Sequence, residues 1–126
     1  MTEAVSQAIE QIRAAFPGHT VEVEEDGQGG ARVIVQELEL GEQYEPPRGC
    51  IGFLIGFQYD ASDVYPHFVV GSLKRVDNKG LGPGFSDAQW NGAPAVQISR
   101  RSNGWRRGVD TAAMKLQKVL EWLRTR

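Results

Sequence analysis

The chain reads as an α+β protein: one antiparallel sheet covered by helices, with a helix at each end of the sequence. Three observations carry that reading. Apolar residues recur at helical spacing near both ends, apolar and polar residues alternate through the first half, and glycine and proline punctuate the segments between. At 126 residues the chain has the size of one domain, spanning 1–126. Its 40% apolar and 24% charged content is ordinary for a globular protein.

Residues 2–16 are expected to form the first helix. Thr2 is placed to cap it, Val5, Ile9, Ile12 and Phe16 make one apolar stripe, and Pro17-Gly18 ends it. Strand alternation follows from His19 to Glu25, with Val21 and Val23 set against Glu22 and Glu24. The turn DGQGG at 26–30 leads into a second strand from Ala31 to Leu40. A loop with Tyr44, Glu45, Pro46 and Pro47 precedes residues 50–59, CIGFLIGFQY, which are apolar on both faces and so predict a central strand.

Asp60 to Pro66 reads as a polar turn and residues 67–76 as the fourth strand of a meander. Gly80, Gly82, Pro83, Gly84, Gly92 and Pro94 predict a long irregular loop over 77–94. A short strand is expected at 95–100. A last helix, capped by Asp110, then buries Ala113, Leu116, Val119, Leu120 and Leu123, with Lys118, Arg124 and Arg126 toward its carboxyl end. The expected architecture is a helix, a four-stranded antiparallel meander, a long loop and a helix packed on the sheet.

No apolar run approaches the ~20 residues of a membrane span. The start, MTEAVSQAIEQ, lacks the basic region and apolar core of a secretory signal, and the single cysteine, Cys50, excludes an internal disulfide. A cytoplasmic location is therefore expected. Net charge is −2, but residues 1–64 hold 3 basic and 12 acidic residues while 65–126 hold 11 basic and 4 acidic. Arg100, Arg101, Arg106 and Arg107 concentrate the positive charge, which suits an acidic protein surface. Nucleic acid is not an expected partner, because the domain is not basic overall and shows no recognition helix.

Residues 91–105, NGAPAVQISRRSNGW, followed by a helix, resemble the catalytic stretch of ubiquitin-conjugating enzymes, N-G-x-x-C-L-x-I-L and then a tryptophan. Asn91, Gly92, Val96, Ile98 and Trp105 match, with two extra residues before the tryptophan, and the nucleophile position falls on Ala95. Upstream, Tyr44-Glu45 with Gly49 to Phe53 is similar to the family's P-Y-E-G-G-x-F segment, and Asp63-Val64-Tyr65-Pro66 to its D-Y-P turn. The resemblance covers nearly the whole chain and is nearest the divergent bacterial relatives found in ubiquitin-like conjugation operons, some linked to phage defence. Phe85-Ser86-Asp87 stand in place of the family's H-P-N tripeptide, whose asparagine helps stabilise the oxyanion, and the family's last two helices have no counterpart.

The resemblance implies an enzyme that accepts a ubiquitin-like protein as a thioester, but an alanine methyl cannot form one. It thus implies a non-catalytic member that binds a ubiquitin-like protein, an activating enzyme or another partner. Trp90 and Asn91 are candidate contacts beside Ala95, joined by Arg100, Arg101, Arg106 and Arg107. The alternative is an active conjugating enzyme carrying a Cys→Ala change at position 95.

A rival reading is a small hydrolase or metal-dependent enzyme built on Cys50, His67 and Asp63, which requires those groups to converge. No pair among Cys50, His19, His67 and Asp63 has a recurrent ligand spacing, so neither a metal nor another cofactor is expected. Ser86, Ser99 and Ser102 lack a neighbouring histidine to activate them, and Asp87 becomes a base only if its loop folds back.

Overall fold

The computed structural model describes residues 1–126. Helix α1 spans Glu3–Ala15 and helix α2 spans Ala112–Arg124. Between them run β1 (Val21–Glu25), β2 (Ala31–Glu39), β3 (Tyr44–Glu45), β4 (Arg48–Ile55), β5 (His67–Val70), β6 (Lys74–Arg75), β7 (Phe85–Trp90) and β8 (Ala93–Ile98). Six strands form one antiparallel sheet in the order β1-β2-β4-β5-β8-β7, and β3 pairs with β6 in a separate two-stranded ribbon.

The expected meander is present as β1-β2-β4-β5, with the doubly apolar β4 at its centre between β2 and β5. The sheet is larger than the four strands expected, because the segment predicted to be an irregular loop contributes two more. Residues 77–84 are irregular, but Phe85–Trp90 and Ala93–Ile98 form a hairpin whose two-residue turn is Asn91-Gly92, with φ of 48° and 80°. Both values are positive, as a type I′ turn requires. β7 is an edge strand with most side chains half-buried or exposed, which explains why its polar sequence gave no strand signal.

Other boundaries also shift. Gly71, at φ +99°, ends β5 early and separates it from β6, and the first residues of the Tyr44 loop are a strand. Thr111, not Asp110, caps α2: its Oγ1 accepts the Met114 amide at 3.1 Å. Asp110 instead closes the preceding turn by accepting the Arg106 amide at 2.7 Å. At the other end of the chain Thr2 caps α1 as expected, accepting from Val5 at 3.1 Å.

The core is one cluster of 27 residues. Val5, Ala8, Ile9 and Ile12 of α1 and Leu116, Val119, Leu120 and Leu123 of α2 pack on the sheet face formed by Val33, Val35, Ile51, Phe53, Val69, Val96 and Ile98. Both helices therefore cover the same face. Burial of that many apolar side chains, each worth roughly 1.5–3 kcal/mol, is the main force holding the layers together. Polar ties fix where α2 lies: Tyr44 Oη donates to the Leu123 carbonyl at 2.7 Å, and the Ala112 amide donates to Tyr59 Oη at 3.0 Å. No helix is long and apolar enough to cross a membrane.

Candidate functional site: a basic cavity beside the last helix

Strand β8 delivers the chain to the turn segment 99–111, which wraps over one side of α2 before entering it. What holds that segment is a buried cluster. Lys115 is only 4% exposed, and its Nζ lies 3.0 Å from both carboxylate oxygens of Asp63 and 2.8 Å from Ser102 Oγ. The Ser102 amide and hydroxyl both donate to Asp63, at 2.7 and 2.9 Å. Burial raises the affinity of Asp63 for a proton, but the Ser102 amide, the Lys115 ammonium and the Ser102 hydroxyl outweigh it and hold the carboxyl below its ordinary range. Burial likewise pulls Lys115 down, by more than Asp63 restores.

Ser102 and Lys115 are close enough to suggest a nucleophile and its base. The hydrogen bonding argues otherwise: the hydroxyl proton is given to Asp63, and the ammonium donates to both Asp63 oxygens and to Ser102 Oγ, so Lys115 has no free lone pair to take a proton. The cluster is a clamp. Trp105 adds to it by donating Nε1–H to the Asp60 carbonyl at 2.8 Å while packing edge-on against Tyr59.

Over this clamp opens a cavity of about 460 Å³ whose wall includes Arg100, Arg101, Arg106, Lys115 and Lys118, with Asp110 the one carboxylate among its lining residues. Arg106 is paired with Asp110 at 3.6 Å and Lys115 with Asp63. Arg100, Arg101 and Lys118 have no carboxylate partner. The two arginines are held by ring faces instead, Arg100 over Trp122 at 5.1 Å and Arg101 over Tyr65 at 4.0 Å from the ring centre. Arg107 lies outside this lining and pairs with Asp60 at 3.1 Å.

The remaining site candidates lie elsewhere. Ala95 is in the middle of β8, hydrogen-bonded into the sheet between β5 and β7, and is 4% exposed. It pairs with Val70 and Ala88 on the sheet face away from the helices, as the register with core-facing Val69 and Val96 requires. Trp90 sits on that same outer face, over Gly52 and 5.4 Å from the Phe68 ring. With Asn91 it lines a cavity of about 310 Å³ shared with Glu22, Val23, Glu24, Arg32 and Ile34. The hairpin turn and the arginine cavity are thus two separate surfaces.

Cys50, Asp63 and His67 do not converge. Cys50 pairs with Val70 and points to the outer face, whereas His67 pairs with Phe53 and points into the core, so the cysteine–histidine arrangement of the hydrolase reading is absent. No three His, Cys, Asp or Glu side chains come together at metal-binding distance. His67 is fully buried 5.0 Å from the Phe53 ring, with neither ring nitrogen hydrogen-bonded. Burial, assisted by Lys115 and opposed by Asp63, pushes its pKa down to about 3, so the ring is neutral. Ser99 Oγ accepts from Gln97 at 3.1 Å, and Ser86 and Asp87 are exposed on the edge strand, with no nucleophile–base pair formed among them.

The sequence reading missed Lys115. The signal was present: Lys115 falls one helical turn from Ala112 and Val119, on the buried face of α2, where a charge needs a partner. No protein-family model matches this chain, and neither a curated protein nor a solved structure matches it at a significant level.

Proposed function

We propose that this protein is a binding member of the ubiquitin-conjugating-enzyme-like group, holding a ubiquitin-like protein or its activating enzyme without forming a thioester. The reading includes that fold, a bacterial modification pathway of the kind linked to phage defence, and work in the cytoplasm. The observation that carries it is Ala95. The motif that resembles the catalytic stretch ends on a methyl group that is 4% exposed in mid-sheet. Its direct cross-strand partners are Val70 and Ala88, and Cys50, the one thiol, stands one strand further along that row, opposite Val70.

Further support comes from the order of the motifs along the chain and from the succession of α1, a meander and α2, which parallels that group. Trp90 and Asn91 at the hairpin turn and Arg100, Arg101, Arg106 and Arg107 around α2 are the proposed contacts. They form two surfaces, which fits a partner that grips around an edge of the sheet or two partners held at once. The alternative, an active enzyme carrying Ala in place of Cys at position 95, requires a cysteine there to be reachable by a partner's tail.

Isothermal titration of the chain with ubiquitin-like proteins and with their activating enzymes tests the proposal. Saturable binding that is weakened by Asn91→Ala or by Arg106→Glu is expected. Absence of binding to every such protein, with the chain folded, overturns it.

A further inference from the structure

From the cavity over α2, we infer a second kind of site: a pocket for a phosphoryl-bearing small ligand, with inorganic pyrophosphate as its minimal mimic. The inference goes beyond the binding role proposed above and does not depend on it.

Of the five cations in the cavity wall, Lys115 is balanced by Asp63 and Arg106 by Asp110. Arg100, Arg101 and Lys118 remain unbalanced and make no side-chain hydrogen bond within the protein. Three unpaired cations facing one hollow repel one another, and an anion placed among them relieves that repulsion. A single carboxylate neutralises only part of the excess. A phosphoryl dianion or a diphosphate matches it, and guanidinium forks present paired N–H donors at the spacing of phosphate oxygens.

The second observation is preorganisation. A surface arginine ordinarily loses side-chain entropy when it closes on a ligand. Here Arg100 lies over Trp122 and Arg101 over Tyr65, so their planes are fixed by contacts that leave the N–H edges unbonded. Trp122 is itself held from its other neighbours, by Phe85 at 5.0 Å and Arg126 at 4.5 Å. The floor is equally fixed, since the Asp63–Ser102–Lys115 clamp fastens the turn that carries Arg100 and Arg101 to the helix that carries Lys118. At about 460 Å³ the hollow is in the size range of small-ligand sites.

The test is calorimetric titration of the full chain with pyrophosphate and with orthophosphate at about 0.15 M salt, where loose surface attraction is screened. Saturable binding of one pyrophosphate per chain, tighter than orthophosphate, is expected. Arg100→Gln and Lys118→Gln should each weaken it at least about tenfold, the usual effect of losing a charge-assisted hydrogen bond. Arg48→Gln removes the same charge from a residue paired with Glu39 outside the cavity and should leave binding unchanged. Lys118 is exposed on α2, so its variant keeps the fold, which circular dichroism checks. No saturable binding, equal weakening by R48Q, or displacement of pyrophosphate by a lower concentration of a peptide with a free terminal carboxylate overturns the inference.

Discussion

The ammonium of Lys115 sits 3.0 Å from each carboxylate oxygen of Asp63, and through Ser102 this pair ties the segment after β8 to the last helix. Its two halves are not equivalent. Asp63 keeps two donors from Ser102 if Lys115 is removed and is 19% exposed, whereas Lys115, at 4%, has no other counter-ion. Asp63→Asn should therefore cost about 3 kcal/mol and Lys115→Met less, about 1–2 kcal/mol, because an uncompensated buried charge is the more expensive defect. Urea denaturation of the two variants reads the difference directly; a larger loss for Lys115→Met contradicts it.

His67 sets an acid limit on stability. Its folded pKa of about 3 lies below the ordinary value of 6.5, so below 6.5 the unfolded chain takes up a proton that the folded chain refuses. Stability is whole above that value and falls as pH drops toward 3, by about 1.4 kcal/mol per unit. Asp63 adds a further loss at the acid end of this window, since its depressed pKa gives stability that is present above its unfolded value of 3.8 and lost as pH falls beneath it. Between pH 7 and pH 5 the wild type should lose about 2 kcal/mol more than His67→Leu. Parallel urea curves at the two pH values decide the matter.

Gly52 makes room for Trp90. A Cβ at position 52 would lie 2.9 Å from Trp90 Cε2, and the backbone there is not in the left-handed region, so a substitution acts through this contact alone. Gly52→Ala should cost about 1–3 kcal/mol as overpacking and shift the Trp90 fluorescence. Restored stability in the Gly52→Ala/Trp90→Leu double variant would locate the clash; unchanged stability in the single variant would refute it.

Much of this architecture is legible in the residues. Thr2, the valine–glutamate alternation at 21–24, the doubly apolar β4 and the Asn91-Gly92 turn all state their local geometry, because each is decided by neighbours in sequence. β7 was not legible, since an edge strand has few apolar positions and its glycine-rich approach dominates the composition. The clamp was not legible either: Asp63, Ser102 and Lys115 are distant in sequence, and only the packing of α2 brings them together. Arg100 and Arg101 were visible as charge, but their aromatic supports, Trp122 and Tyr65, were not.

The placement of Ala95 predicts the behaviour of a cysteine introduced there. In an Ala95→Cys/Cys50→Ala chain the one thiol stands at a position 4% exposed within the sheet, and it should react with a thiol reagent at least about tenfold more slowly than Cys50, which is partly exposed in the wild type. Rapid labelling would favour the reading of a disabled active enzyme.

Binding without thioester chemistry is tested by intact-mass analysis and gel filtration of the wild-type chain after incubation with ATP, an activating enzyme and its ubiquitin-like protein. Complex formation in solution with no covalent mass increase is expected. A thiol-sensitive adduct, which only Cys50 can carry, or an alkali-sensitive ester on a serine such as Ser102 would contradict it.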